Sequence, residues 1–320
     1  QQLGWVLRGR DVWQLWTFWH LNIWRVRIRT CYGYTGKSIV MKSDIMITEK
    51  GQAVKVYISA DIEGTTGISH WNEAEENKTG YDAYAKMMTL EVAAACEGAL
   101  NAGAREVVVK DAHWTARNIN PEKLPHGVQL IRGWSGHPCS MVQELDDSFD
   151  ALVMTGYHSG ASTAGHPLAH TLTGQGGKIT LNGETASEYL LNRNVAAMHG
   201  VPSVFISGDK LLCETVKTVD INIHTVATME GIGGSTMAVH PAEIRDKIRA
   251  GVEAALKDKT AMAKPGVLDD HFTMEVDYIN HENAYSASFY PGARSSGPHS
   301  IVFETSDFFE IMRALQFVVK

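Results

Sequence analysis

VKVYISADIEG, residues 54–64, combines a short apolar run with two carboxylates, Asp61 and Glu63, that stand where the run ends. A short apolar run that is closed by a glycine turn predicts a buried β-strand. Because side chains alternate along an extended chain, Asp61 and Glu63 are predicted to point to the same side. Two carboxylates held that close repel each other unless a proton or a cation lies between them. The stretch therefore predicts a strand whose carboxyl end holds a shared proton or a cation.

The same pattern occurs twice more along the chain. Residues 106–113 read EVVVKDAH, and residues 151–158 read ALVMTGYH, so that each apolar run leads to a histidine. The carboxyl ends of parallel strands meet at one edge of an open α/β sheet, where such proteins place their chemistry. Carboxylates and imidazoles together suit zinc, and also manganese, iron or cobalt, better than calcium or magnesium. The candidate ligands for this predicted metal site are Asp61, Glu63, His113, His158 and Glu188.

The segments between these strands predict an α/β fold. Residues 81–103 carry apolar side chains at helical spacing and end in Asn-Ala-Gly, a helix stop, before the strand at 107–109. This order predicts a βαβ unit and a parallel strand pair. Residues 170–173 and 178–181, separated by a glycine-rich turn, predict a β-hairpin. We predict a three-layer α/β fold, a sheet flanked by helices, with the metal site at the strand C-terminal ends.

The sequence also predicts a division into domains. Residues 1–50 form an atypical head, residues 51–211 are predicted to be the α/β metal-binding catalytic domain, and residues 212–320 a smaller C-terminal α+β domain. The head carries five of the eight tryptophans, interleaved with arginines. Such a segment is compatible with a membrane surface, but it lacks the long apolar run of a spanning helix. We favour upstream sequence outside the folded protein, with the native start near Met41 or Met46, and expect no stable membrane association.

The composition argues against a nucleic-acid partner. The net charge is −7, and the 29 basic residues are unclustered among 36 acidic ones. A hydrophobic content of 44% in 320 residues is ordinary for a globular protein with ample core. The four cysteines are scattered without a CxxC pair, which predicts reduced, buried thiols and a cytoplasmic location.

Two further histidines, His166 and His170, follow His158 in a loop rich in glycine, alanine and serine. Small residues let the backbone pass close to a ligand or a metal. A histidine beside a metal that it does not ligate can act as a nucleophile or as a general acid or base. Each candidate alone also has a structural explanation, because a single histidine at a strand end is commonly just hydrogen-bonded and a single helical Glu188 commonly faces solvent.

Taken together, these motifs resemble those of the M55 family of D-aminopeptidases. The resemblance covers residues 54–318, which leaves the tryptophan-rich head outside it. It rests on SADIEG at 59–64, DAH at 111–113, GYH at 156–158 with AST at 161–163, NGE at 182–184 with Glu188, VP at 201–202 leading into GD at 208–209, and FYPGA at 289–293.

The resemblance implies a function and a ligand set. It implies a hydrolase that binds a pair of zinc ions (Zn²⁺) in each chain and releases N-terminal D-amino acids, such as D-Ala, from short peptides through a metal-activated water. It implies that Asp61 bridges the two ions and that His170 is catalytic, with His166 as its nearest rival. The remaining ligands that it implies are Glu63, His113, His158 and Glu188.

The resemblance further implies assembly into a ring-shaped homo-oligomer, such as a decamer, that encloses the active sites. Trp114 and Gly160 depart from the residue types expected of the family at these positions, and we expect both to affect substrate preference rather than metal binding. Two other functions stay open from the residues themselves. The same metal site could act on an L-peptide, another amide or a phosphoester, or the chain could be a non-catalytic peptide-binding protein of a transport system.

Overall fold

A computed structural model describes residues 54–174, 177–263 and 265–319, so that the head predicted for residues 1–50 lies outside the described residues. The strands are β1 Lys55–Ala60, β2 Glu106–Asp111, β3 Gln129–Ile131, β4 Ala151–Tyr157, β5 Ile179–Leu181, β6 Glu184–Thr185, β7 Ser203–Asp209, β8 His224–Ile232, β9 Ser235–Ala238, β10 Phe272–Asp277, β11 Ala293–Gly297 and β12 Ser300–Thr305. The helices are α1 Tyr81–Asn101, α2 Glu188–Met198, α3 Lys210–Val219, α4 Pro241–Lys257, α5 Lys259–Met262, α6 His281–Ala287 and α7 Phe308–Val318. Within these described ranges, no helix has both the length and the apolar character needed to cross a bilayer.

The larger sheet has seven strands in the order β3-β2-β1-β4-β7-β8-β9. Its neighbouring strands are parallel except for the antiparallel pair of β8 and β9. The predicted βαβ unit and the parallel α/β sheet are thereby confirmed. The chain winds outward from β1 to β3 and then continues on the other side of β1 with β4. A reversal of this kind is the place where open α/β sheets form a crevice beyond the carboxyl ends of their strands.

Both faces of the larger sheet are covered, as its nearly uninterrupted apolar strands require. Along β1, Val56 and Ile58 belong to the core cluster that contains side chains of α1 and α4. Tyr57, on the opposite face, belongs to a second core cluster with side chains of α2, α7 and the smaller sheet. All seven residues of β4 are buried. The centre of the sheet is therefore rigid scaffold, and its carboxyl edge is left to carry polar side chains.

The smaller sheet is antiparallel and has the order β11-β12-β10-β5-β6. It contains β10, β11 and β12 from the C-terminal part of the chain, for which the sequence predicts an α+β domain, but β5 and β6 come from the N-terminal side of residue 211. Conversely, β8 and β9, from the other side of residue 211, extend the larger sheet. Val54–Lys320 is one compact unit, and the boundary predicted between residues 211 and 212 falls inside it, because both sheets join strands from either side.

The hairpin predicted from residues 170–173 and 178–181 is wrong. β5 pairs with β10 and β6 instead, and Thr171 and Thr173 form only an isolated bridge. The loop is drawn towards α2, since the Leu172 N–H donates to Glu188 Oε1 at 2.8 Å and the Thr171 hydroxyl donates to the Ala186 carbonyl at 2.8 Å. The contact of the Leu172 N–H with Glu188 takes a backbone donor that a hairpin ladder would use, and both contacts hold the loop that carries His170 against the start of α2.

Candidate metal centre

The larger sheet brings all five predicted ligand residues to its carboxyl edge, at the β1–β4 reversal. Asp61 directly follows β1, and Glu63 lies in the turn after it, so the turn rather than strand alternation brings these two carboxylates together. The other three are His113, two residues beyond β2, His158, directly after β4, and Glu188, the first residue of α2. All five are buried.

The turn after β1 is packed tightly against the end of β4. The Asp61 N–H donates to the Thr155 carbonyl at 2.8 Å, and the Gly64 N–H donates to the Gly156 carbonyl at 2.8 Å. A Cβ on Gly64 would lie 1.8 Å from the Tyr157 carbonyl oxygen, and Gly156 has a φ of +69°. Only glycine accommodates such close approach and such a φ without strain. The glycines of both sequence motifs therefore allow the two ligand-bearing strand ends to meet.

Asp61 lies between the two ligand-type histidines. Its Oδ1 is 3.2 Å from His113 Nδ1, and its Oδ2 is 3.5 Å from His158 Nε2. Each histidine faces a second carboxylate, because Glu63 Oε2 is 3.0 Å from His113 Nδ1 and Glu188 Oε2 is 3.3 Å from His158 Nε2. Two groups of three ligand atoms thus share Asp61. This is the arrangement that a carboxylate bridging two metal ions requires.

Hydrogen bonds outside the centre orient both histidines. His113 Nε2 is 2.8 Å from the Ala74 carbonyl oxygen, and His158 Nδ1 is 2.9 Å from the Ser159 carbonyl oxygen. A carbonyl oxygen only accepts, so each of these nitrogens donates, and the proton positions follow from the network. The other nitrogen of each ring faces the carboxylates, which raise the pKa of His113 and of His158 although burial opposes them, so a metal ion would displace a proton from this nitrogen. Such outer hydrogen bonds fix the tautomer of metal-ligating histidines.

The donor set fits a divalent cation. Burial and the neighbouring Glu63 raise the pKa of Asp61 well above its ordinary value, which reflects three carboxylates gathered away from water. Among the described residues, the buried ligand-type atoms without a hydrogen-bond partner include Glu63 Oε1, Glu63 Oε2, His158 Nε2 and Glu188 Oε2. An unsatisfied buried polar atom costs about 1–3 kcal/mol. A cation at this position would offset both the repulsion and the missing hydrogen bonds.

His170 presents a free ring nitrogen beside the predicted ligands. Its Nδ1 is 2.8 Å from the Leu168 carbonyl oxygen and therefore carries the proton, which leaves the lone pair on Nε2. Nε2 lies 3.8 Å from Glu63 Oε1 and 3.7 Å from Glu188 Oε1. The ring stacks on His158 with centroids 4.3 Å apart. Burial and then His158 lower the pKa of His170, so the ring is neutral near neutral pH.

His166, the rival candidate, uses both of its ring nitrogens elsewhere. Its Nδ1 accepts from the Leu168 N–H at 3.0 Å, and its Nε2 lies 3.2 Å from the Ile68 carbonyl oxygen. Burial lowers the pKa of His166 to about 4. A ring without a free lone pair cannot take a proton from substrate or attack it. The contacts of His166 are those of a structural residue that holds the loop carrying His170.

Glu91 on α1 supports the turn that carries Asp61 and Glu63. Its Oε1 accepts from the Thr66 N–H at 3.1 Å and from the Thr66 hydroxyl at 2.6 Å. Burial raises the pKa of the Glu91 carboxyl from 4.5 to about 7. The folded protein therefore binds this proton more tightly than the unfolded chain does. The contribution of Glu91 to the free energy of unfolding must fall as pH rises from about 4.5 to about 7, because ionisation of this group then favours the unfolded state.

We expect the Glu91→Gln variant to lose this pH dependence. The introduced amide can accept the same two hydrogen bonds through its oxygen and does not ionise. The stability of the variant relative to wild type should rise by about 3 kcal/mol between pH 4.5 and pH 8, a value that follows from the pKa shift. Urea unfolding at a series of pH values measures this difference, in which any constant effect of the amide cancels. A flat difference would show that Glu91 is already ionised in the folded protein.

A cavity of about 330 Å³ opens beside the centre. Its lining includes Asp61, Glu63, His113, His170 and Glu188, together with three tryptophans, Trp71, Trp114 and Trp134. Of these tryptophans, the sequence singled out only Trp114. Trp71 and Trp134 stand in segments without any local motif. Only the small number of tryptophans after residue 50 could have pointed to them. The cavity supplies the space that a small substrate needs next to the ligand residues.

The sheet and the candidate centre together are typical of α/β metal-dependent hydrolases, in which carboxylates and imidazoles converge at the strand ends of a parallel sheet. The chain belongs to the M55 family of D-aminopeptidases, since the family model described as Peptidase M55, D-aminopeptidase, matches residues 54–317. The family resemblance inferred from the sequence motifs is thereby confirmed.

Two relatives extend this finding. The chain is similar to the D-aminopeptidase of Bacillus subtilis strain 168, with 29% identity over 264 residues that cover 82% of this chain and 95% of that protein. It is also similar to the solved structure of the "Zn-dependent D-aminopeptidase DppA from Bacillus subtilis, a self-compartmentalizing protease". That match has a TM-score of 0.78 at 28% identity and covers 83% of this chain and 96% of the other.

Proposed function

We propose that this chain is a zinc-dependent aminopeptidase that releases N-terminal D-amino acids, such as D-Ala, from short peptides. The observation that carries the proposal is the pair of ligand groups that share Asp61 beside a cavity. Family membership supports the peptidase activity, and the name of the solved relative supports zinc and D-amino acids. The buried, unpartnered carboxylate and imidazole atoms supply the type of ligands that zinc prefers.

The ligand residues divide into two sets in this proposal. Asp61, Glu63 and His113 would hold one zinc ion, and Asp61, His158 and Glu188 would hold the other. When bound, the two ions would polarise the scissile carbonyl and lower the pKa of a shared water. The carbonyl groups of Ala74 and Ser159 keep the two histidine rings in the tautomers that ligation needs.

His170 is the proposed proton carrier. Its neutral ring can accept a proton at Nε2 and deliver it to the amine that leaves. The Leu168 carbonyl holds the Nδ1 proton throughout, so the ring keeps its orientation in both protonation states. Glu63 Oε1 and Glu188 Oε1, less than 4 Å away, would stabilise the imidazolium that forms. The stacking on His158 limits rotation of the ring.

We further propose that the protein is a cytoplasmic homo-oligomer. The solved relative is described as self-compartmentalizing, which supports a closed, ring-shaped assembly here. Cys96, Cys139 and Cys213 are buried free thiols, which supports a reducing compartment. Light scattering after size exclusion should give a mass several times the 35.2 kDa of one chain. A monomer at all concentrations would contradict the assembly but not the chemistry.

The proposed function is tested by metal analysis together with stereoselective turnover. We expect about two zinc ions per chain, in line with a two-metal site, and hydrolysis of D-Ala p-nitroanilide that a chelator stops and zinc restores. L-Ala p-nitroanilide and p-nitrophenyl phosphate are the matched comparison substrates. Faster turnover of either comparison substrate would keep the centre and change the substrate class. No tightly bound metal and no turnover after zinc addition would favour the peptide-binding function instead.

A further inference from the structure

The tryptophans among the described residues are concentrated at one place. Five of the eight tryptophans lie before residue 25, and the other three, Trp71, Trp114 and Trp134, all line the cavity beside the candidate centre. These three come from different segments of the chain, after β1, after β2 and after β3 respectively. Their convergence is therefore produced by the fold and not by a local run of aromatic residues.

Two of these rings are left unusually open to water. Trp114 is 56% exposed and Trp134 is 42% exposed. Aromatic side chains dominate the energetics of cores and binding sites because of the area that they bury, so leaving two of them half open forfeits that gain. Neighbouring exposed apolar residues mark interaction sites. Both rings line the cavity, so part of each ring faces the space that a substrate would enter.

The two open rings are held in place by the protein. The Trp134 indole N–H donates to the Trp114 carbonyl at 2.8 Å, and the Gly133 N–H donates to the Ala116 carbonyl at 2.9 Å, so the two loops are tied together. Trp114 adopts a φ of +49°, a conformation that is uncommon for a bulky residue and that the surrounding structure must stabilise. A rigid aromatic wall binds with little loss of side-chain entropy.

Lys110 fixes the Trp134 ring from inside the protein. This lysine is fully buried, and its Nζ lies 4.0 Å from the centroid of the Trp134 ring. Nζ also donates to the Gly133 carbonyl at 2.8 Å and to the Asp111 carbonyl at 2.6 Å. A buried cation over an indole face is a stabilising contact. Lys110 is thus a positioning residue that anchors the Trp134 loop to the end of β2.

The third tryptophan ring, Trp71, contacts His170, the proposed proton carrier. Trp71 packs edge-on against His170, with ring centroids 5.2 Å apart. Among the described residues that line the cavity, the ionisable ones are the candidate ligands Asp61, Glu63, His113 and Glu188 together with His170. The rest of the wall therefore offers aromatic and neutral surface, and no further charge for an ionic side chain of a substrate.

We propose that Trp71, Trp114 and Trp134 form a recognition site for an aromatic or large aliphatic side chain of the peptide substrate. The inference rests on the proposed function and names its substrate class: short D-amino-acid peptides with a bulky apolar residue at the first or second position. D-Ala followed by glycine is then a poor substrate. The wall selects the side chain, and the centre at Asp61 acts on the peptide bond.

The test compares D-Ala-Gly with D-Phe-Gly and D-Ala-D-Phe on the zinc-loaded protein. At least one aromatic peptide should exceed D-Ala-Gly in kcat/KM by about tenfold or more, which corresponds to about 1.4 kcal/mol. Trp134→Ala should reduce that ratio by about tenfold, whereas Trp134→Phe, which keeps an aromatic ring, should preserve most of it. Phe289→Ala removes an exposed aromatic side chain that lines a different cavity, and it should leave the ratio unchanged.

Equilibrium binding separates this inference from the proposed function. Calorimetry with the same peptides on the metal-free protein should retain the preference for the aromatic peptide, because the tryptophans are not ligands. Preferential binding of the aromatic peptide together with no turnover by the zinc-loaded protein would contradict the proposed function and support the aromatic site. Turnover of D-Ala-Gly equal to that of both aromatic peptides, with the ratio unaffected by Trp134→Ala, would overturn the aromatic site. Loss of assembly in Trp134→Ala, with the ratio intact, would also overturn it and assign the rings to a subunit contact.

Discussion

The His170→Ala variant should lose turnover and keep its zinc. Removal of a general acid or base lowers kcat by about 10²–10⁴-fold. His170 Nε2 faces both Glu63 Oε1 and Glu188 Oε1, and no other described residue of its loop offers a neutral base there. The five proposed ligands do not depend on this side chain. Steady-state kinetics with D-Ala p-nitroanilide measure kcat, and elemental analysis of the same preparation measures the zinc content.

Two matched variants make this result specific. His170→Gln keeps a side chain that can donate to the Leu168 carbonyl but cannot carry a proton, so it should be as inactive as His170→Ala. His166→Gln removes the rival imidazole, whose contacts are structural, and should lower thermal stability rather than kcat. Full activity of His170→Ala with inactive His166→Gln would move the role to His166. Loss of zinc from His170→Ala would identify His170 as a ligand instead.

The central strands of the larger sheet were predictable because their signals are local. Apolar runs at residues 54–58, 106–109 and 151–154 end in polar motifs, and the helical spacing of residues 81–103 lies between two of them. Each signal fits inside one window of the sequence. The pairing of β5 with β10 joins segments about a hundred residues apart, and no local pattern encodes it. That is why the hairpin prediction did not match the sheets.

The convergence of the candidate ligand residues was predictable from their positions in the sequence, whereas their hydrogen-bond partners and protonation states were not. Asp61 and His158 stand at strand ends in the sequence, but the position of Glu188 at the start of α2 gains meaning only once the helix is placed beside β4. The choice between His166 and His170 as the proton carrier depends on which ring nitrogens are hydrogen-bonded to backbone carbonyl groups. The Ile68 carbonyl that accepts a hydrogen bond from His166 Nε2 lies 98 residues away along the chain. Contacts of this range arise from packing and cannot be read from residue types.

Asp61→Asn should remove metal binding itself. Disturbing an outer-shell partner of a metal ligand costs about 10–100-fold in affinity, so loss of the shared carboxylate charge should cost at least as much at both positions. The introduced amide can still accept the Ile62 N–H through its oxygen, as Asp61 Oδ1 does at 2.8 Å, and the fold should persist. Elemental analysis should then show zinc well below the wild-type content. Full zinc occupancy would refute the bridging role of Asp61.

Asp111→Asn is the control that separates a ligand from a buried carboxylate. Asp111 ends β2 in the same motif as His113 and is equally buried, but its oxygens accept from the N–H groups of Asn118 and Ile119 and from the Asn118 side chain. Its variant should lose stability, because an amide cannot accept all three bonds, and should still bind zinc once folded.

Without zinc, the two variants should change the melting temperature in opposite directions. Asp61→Asn relieves the repulsion between Asp61 and Glu63, whereas Asp111→Asn breaks a satisfied network. Without zinc, Asp61→Asn should therefore melt at a higher temperature than wild type and Asp111→Asn at a lower one. Zinc should raise the melting temperature of wild type and of Asp111→Asn, because a ligand that binds the folded state stabilises it. A zinc-dependent rise in Asp61→Asn equal to that of wild type would mean that the two ligand groups do not need a shared carboxylate.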